Sequence, residues 1–179
     1  MISRCCIFAA SFLLFYMYHQ NLLMTLRVHI SLEEDFLMYI LETEQSFDSA
    51  HFLSGYKGKC SNLHGHRWRV VARIAMDELN KEGQTRDMVI DFGDFKDALK
   101  KLTDALDHSF IFETGSLKET TVIALKEEGF LLHEVPFRPT AEQFSRYFYE
   151  QLQDLDFPVY NISVYETPTN CSTYQEASL

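Results

Sequence analysis

Residues 51–66 read HFLSGYKGKCSNLHGH, and the histidines at the two ends of this stretch set how the chain is read. His64 and His66 are one residue apart, so on an extended strand they point to the same side and can close on one metal ion. His51, thirteen residues upstream, supplies a third nitrogen. Three protein nitrogens are the ligand count of a catalytic zinc site that keeps one position open. A His-x-His pair alone is common by chance, and it is the addition of His51 and Cys60 that gives the stretch weight. Cys60 has two readings: a fourth ligand that closes a structural site, or a thiol beside the metal acting as nucleophile or general base.

Working outward, residues 39–47 (YILETEQSF) and 66–76 (HRWRVVARIAM) alternate with period two and are expected as strands. In the second, Trp68, Val70, Ala72, Ile74 and Met76 share a face with His64 and His66, while Arg67, Arg69 and Arg73 point the other way. In the first, Tyr39, Leu41 and Phe47 share parity with His51. Both strands therefore carry their histidines to the edge of one apolar layer. Residues 93–106 have apolar side chains at helical spacing after a capping Asp91, and 117–128 form a weaker helix ended by Gly129. FLLHEV at 130–135 reads as a short extra strand. Thr140 and Gln143 make a capping box for a third helix with a stripe at Phe144, Tyr147, Phe148 and Leu152, and VYNISVYET at 159–167 is the last strand.

Composition bounds the rest. The chain has 179 residues, 46% hydrophobic, enough for one core and one domain. A net charge of -10 argues against a nucleic-acid partner. Cysteines at 5, 6, 60 and 171 make no disulfide framework, so a reducing cytoplasm is expected. Residues 1–37 do not belong with the rest of the chain. Residues 5–18 (CCIFAASFLLFYMY) are too short for an ordinary membrane span and no small-residue cleavage site comes after them. The preferred account is an upstream start, with Met38 the initiator and Glu33–Glu34 encoded by a purine-rich ribosome-binding run; a signal peptide or anchor is the lesser alternative, and no membrane partner is expected. The domain is then 38–179.

Two further features bear on a site. Glu166 ends the apolar row Ile162, Val164, so it is either the wet end of a strand or a partly buried anion awaiting adjacent N–H donors, such as a two-amino pyrimidinone edge. Asp107 and His108 come after the first long helix, where both can reach one pocket or His108 can simply cap the helix. Between Asp48 and Asp77 there is no acidic residue, while Lys57, Lys59, Arg67, Arg69 and Arg73 fall inside, a local positive field in an acidic chain.

FDSAHFL, C-x-x-x-H-G-H at 60–66, DFGDFK at 91–96, LDH at 106–108, PTAEQ at 139–143 and YET at 165–167, in that order, resemble the 6-pyruvoyltetrahydropterin synthase superfamily. Three residues between Cys60 and the HGH run, where the pyruvoyl enzymes usually have five, are most similar to its bacterial 6-carboxytetrahydropterin branch of queuosine synthesis. The resemblance implies an α+β tunnelling-fold (T-fold) subunit, a four-stranded antiparallel sheet with helices on one face, assembled as a homohexamer. It implies zinc on His51, His64 and His66, Cys60 as general base, Asp107 and His108 as a proton relay that can reach a neighbour's zinc, and Glu166 as the pterin anchor, clear of the metal. The implied reaction converts 7,8-dihydroneopterin triphosphate to 6-carboxy-5,6,7,8-tetrahydropterin, acetaldehyde and triphosphate. A 6-pyruvoyl product is the near alternative and a non-enzymatic zinc-stabilised module the distant one. The segment 113–138 is longer than in compact members of the superfamily.

Overall fold

A computed structural model describes residues 38–176, so the reading of 1–37 lies outside the described residues. Strand β1 (Tyr39–His51) pairs along its whole length with antiparallel β2 (His64–Met76), with Phe47 opposite Trp68 and His51 opposite His64. The expected parity holds. Phe47, Trp68, Val70, Ala72 and Ile74 are buried on one face, and helix α1 (Phe92–Asp104) lays Phe95 and Leu99 against it. The α1 start is set by Asp91, whose carboxylate accepts the Gly93 N–H.

After α1 come β3 (Ser109–Glu113), α2 (Glu119–Glu127), β4 (Leu132–Val135), α3 (Ala141–Gln153), β5 (Val159–Thr167) and β6 (Asn170–Tyr174). Helix α3 brings Phe144, Phe148 and Leu152 onto the same core as Ile162 and Val164 of β5. Burying each such side chain is worth roughly 1.5–3 kcal/mol, so this shared layer dominates the fold's stability.

The sheet departs from the expected four antiparallel strands. It has six, in the order β4-β3-β1-β2-β5-β6, and it is mixed. Strand β3 runs parallel to β1, and β4 parallel to β3, because α1 and α2 return the chain to the same end of the sheet before each of them begins. Helices α1 and α3 build the apolar layer, whereas α2 has no buried residue.

On the sheet's other face the β2 arginines meet β1 carboxylates: Arg67 lies 3.4 Å from Asp48, Arg69 2.9 Å from Glu44 and Arg73 2.7 Å from Glu42. The sequence-local positive field is therefore largely neutralised across the strand pair. Its acids come from the neighbouring strand, which a count along the chain does not see.

Candidate metal and pterin site

The end of the β1–β2 ladder places His51 directly opposite His64, with His66 two residues further along. Their ring centroids stand 4.4, 5.2 and 4.9 Å apart, and one nitrogen from each lies within 4.8 Å of the others. Gly65 lets the strands close this tightly, since a Cβ there would sit 3.2 Å from the Ser49 carbonyl oxygen. Trp68, fully buried, floors the cluster, its ring 5.0 Å from that of His51 and 5.6 Å from that of His66.

Hydrogen bonds decide which nitrogens are free. His51 Nδ1 lies 2.8 Å from the Pro139 carbonyl oxygen and His64 Nδ1 2.8 Å from that of Asn62. A carbonyl only accepts, so both rings carry their proton on Nδ1 and present a lone pair on Nε2. Both Nε2 atoms are buried without a protein partner. Burial pushes the His51 pKa down to about 4 against the opposing bond to Pro139, with the neighbouring histidines lowering it further; burial also lowers that of His66. His51 is therefore neutral near pH 7, the form that binds metal.

Glu166 belongs to the same cluster. Tyr165 and Thr167 pair with Cys171 and Asn170, which are consecutive, so Glu166 is the extra residue of a β-bulge. Its Oε1 stands 3.7 Å from His51 Nε2 and 3.8 Å from His66 Nε2. Glu166 therefore lies beside the histidine cluster rather than clear of it. The lone pairs on His51 and His64 Nε2 converge with this carboxylate and have no protein donor of their own, an arrangement that a cation at their centre stabilises. Two ligands of one tetrahedral zinc at about 2.1 Å lie roughly 3.4 Å apart, close to these separations. The residues fit a divalent metal held by His51, His64 and His66.

Cys60 sits half-buried on a short 3-10 turn, Lys59–Ser61, and lines a cavity of about 320 Å³ together with Glu166. Thr140 and Glu142 line it too, which the sequence reading missed. The available signal was the capping box of α3, whose first turn leaves backbone N–H groups and polar side chains at one end of the helix.

Asp107 and His108 come together as a hydrogen-bonded pair, the arrangement in which the carboxylate orients the imidazole. His108 takes the left-handed conformation, φ 53°, outside the helix, and its Nδ1 lies 2.7 Å from Asp107 Oδ2. Asp107 Oδ1 accepts the Asp48 N–H at 2.7 Å, the main reason its pKa falls below the usual carboxylate range. His108 borders a second cavity, about 560 Å³, with His66 and Arg67. Between the two, a third of about 570 Å³ is lined by His66, Arg67 and Glu166. None of the three is lined by both Cys60 and His108.

Residues 40–177 match the family described as 6-pyruvoyl tetrahydropterin synthase. A 6-carboxy-5,6,7,8-tetrahydropterin synthase of Haemophilus influenzae is 39% identical over 142 residues, 78% of this chain and all of that protein. A protein of the same name from Aquifex aeolicus is 33% identical over 128 residues, 66% of this chain and 76% of that protein. Among solved structures, the 6-pyruvoyl tetrahydropterin synthase of Plasmodium vivax aligns over 78% of this chain and 98% of its own, with a TM-score of 0.59 at 24% identity. An uncharacterized protein from Wolinella succinogenes aligns with a TM-score of 0.64 at 20% identity, covering 79% of this chain and 99% of that one. These two share the fold.

Proposed function

This chain belongs to the 6-pyruvoyl tetrahydropterin synthase family, and from that premise we propose that it converts 7,8-dihydroneopterin triphosphate to 6-carboxy-5,6,7,8-tetrahydropterin, acetaldehyde and triphosphate, with zinc on His51, His64 and His66. One observation carries the reading. Glu166 touches the histidine cluster on one side and shares a cavity with Cys60 on the other, so a metal position, a ring anchor and a proton acceptor are contiguous. The carboxy product, with its place in queuosine synthesis, is favoured over the pyruvoyl one by the names of the relatives at 33–39% identity and by the three residues between Cys60 and His64.

Zinc, when bound, supplies a Lewis acid that polarises the hydroxyls of the substrate side chain. The chain's own groups do the rest. Two oxygens of Glu166 accept the two adjacent N–H donors of the pyrimidinone edge and fix the ring's register. The Cys60 sulfur takes the proton from the side-chain carbon. The Asp107 carboxylate holds the His108 imidazole in one tautomer, so that its Nε2 can return or remove a proton on the opposite side. Trp68 and the Pro139 carbonyl hold the ligand histidines in orientation, as outer partners of a metal site do.

The edges β4 and β6 offer unpaired backbone groups. We take them to be covered edge to edge in a homohexamer formed by residues 38–179, with 1–37 an extension outside that domain. Among the described residues no helix is long and apolar enough to cross a membrane, and we place the enzyme in the cytoplasm.

Product analysis tests the reading. Zinc-loaded protein given dihydroneopterin triphosphate should release acetaldehyde and a carboxypterin in equal amounts, and chelation should stop both until zinc is restored. A pyruvoyl side chain without acetaldehyde moves the chain to the pyruvoyl branch; a zinc-loaded protein that consumes no pterin returns it to the non-enzymatic alternative.

A further inference from the structure

The cavity shared by Glu166 and Cys60 has two kinds of wall. Glu166, Thr140 and Glu142 make it polar on one side, while Leu53 and Tyr56 line it from the loop between β1 and the Cys60 turn. A carboxylate pairing in the plane of a flat heterocycle fixes its edge but leaves its tilt free. A contact with the ring's face is needed to fix that, and Tyr56 is the aromatic side chain lining the cavity.

The loop is built to hold that ring. Its two ends are tied by the Leu53 N–H donating to the Cys60 carbonyl at 2.8 Å. Arg138 donates to the Ser54 carbonyl at 2.6 Å, and Gly55 turns the chain at φ 71°. The Tyr56 ring then lies against Gly58, where a Cβ would stand 2.5 Å from Cε1 and 3.1 Å from Cζ. The backbone at Gly58 is extended, φ 179° and ψ -176°, which any residue adopts. What glycine supplies there is the room the ring occupies, which a Cβ would take from it. Tyr56 stays 49% exposed, so about half its surface is not covered by protein.

We propose that Tyr56 is a specificity-determining residue, its ring the stacking wall for the bicyclic heterocycle that Glu166 holds by the edge, with Gly58 setting the ring's position. The proposal rests on the pterin reading of the site. Stacking scales with ring overlap, whereas the Glu166 pairing needs only the pyrimidine half of the ligand, and this separates the two contributions.

The test uses the full zinc-loaded chain as parent, Tyr56→Phe, Tyr56→Ala and Gly58→Ala. Probes are neopterin, monitored by fluorescence, and monocyclic 2-amino-4-hydroxypyrimidine, monitored by competition. Base stacking on an aromatic side chain is worth enough that Tyr56→Ala should weaken neopterin roughly tenfold to a hundredfold. Tyr56→Phe should stay within about twofold, because it keeps the ring. Gly58→Ala should weaken neopterin by several-fold, on the order of one lost stacking contact, because its methyl displaces a movable ring rather than backbone. The monocycle should lose distinctly less than neopterin, and with dihydroneopterin triphosphate the loss should appear in KM more than in kcat. Neopterin binding at parental strength in Tyr56→Ala overturns the proposal, as does equal loss for both probes, which marks a collapsed loop. A parent that binds no pterin overturns the functional reading itself, a result distinguishable from either.

Discussion

A cysteine beside a histidine cluster can be ligand or base, and the two roles separate on substitution. Cys60→Ala should keep its zinc while turnover falls by roughly two to four orders of magnitude, the usual worth of a positioned base. His64→Ala should lose zinc and turnover together, since two nitrogens hold a catalytic zinc poorly. Metal analysis beside initial rates checks both, and loss of zinc from the cysteine variant returns Cys60 to the ligand set. For Glu166→Gln the geometry changes what the sequence alone led one to expect. Replacing an acceptor by a donor should weaken substrate roughly tenfold to a hundredfold, and removing a carboxylate 3.7 Å from His51 Nε2 should also lower zinc affinity, though by less than losing an imidazole. Calorimetric titration with substrate and with zinc separates the two losses. Asp107 gives a pH signature. Its pKa is held below the unfolded value of 3.8, chiefly by the Asp48 N–H, so the unfolded chain binds its proton first as the solution is acidified. The stability it contributes is fully present above 3.8 and is lost as the pH falls through the lower folded value. The melting-temperature gap between parent and Asp107→Asn should accordingly be present at neutral pH and close as the solution is acidified below pH 3.8.

Among the elements, the β1–β2 pair was legible because it obeys one rule over thirteen residues, alternation, and one parity carries Phe47, Trp68 and all three histidines to the same side. Helices α1 and α3 were legible for the same kind of reason, a stripe plus a capping residue. Strands β3 and β6 were not. Each has five residues, too few for a period to declare itself, and β3 pairs in parallel with a partner some sixty residues earlier in the chain. The site divides along the same line. The three clustered histidines lie on regular ladder, whereas Glu166 is aimed by a bulge and His108 by a left-handed residue, and neither departure has a periodic signal. Regular ladder at the histidines also makes a prediction. Because a Cβ at Gly65 would already stand 3.2 Å from Ser49 O, Gly65→Val should push the strands apart where His51 faces His64. Zinc affinity should drop roughly tenfold to a hundredfold, the scale of outer-partner substitutions, while helix content by circular dichroism stays that of the parent.

For the whole molecule, the separation of Cys60 from His108 is the deciding fact. Within one subunit they line different cavities, and His108 is 79% exposed although bonded firmly to Asp107. An imidazole oriented by a carboxylate and left facing solvent is poised for something outside its own chain. The sheet edges β4 and β6 give subunits a way to join, and a heterologous contact of that kind would place one protomer's dyad at another's histidine cluster in the assembly proposed above. If each active centre takes Cys60 from one subunit and the Asp107–His108 dyad from its neighbour, two inactive variants can repair each other. Cys60→Ala and His108→Ala homo-oligomers should each be nearly inactive. Unfolded together in equal amounts and refolded with zinc, they should form mixed assemblies with roughly a quarter of the parental turnover, since about one centre in four draws both intact groups by chance. Mixing the already folded oligomers without exchange should restore nothing, and Cys60→Ala co-refolded with Glu166→Gln should turn over no faster than its share of Glu166→Gln subunits does alone if both of those side chains come from the same subunit, as their shared cavity implies. No recovery in the first mixture, with mixed assembly verified by native mass spectrometry, would mean that each subunit completes its own centre and that the dyad must swing across the intervening His66 cavity to reach it.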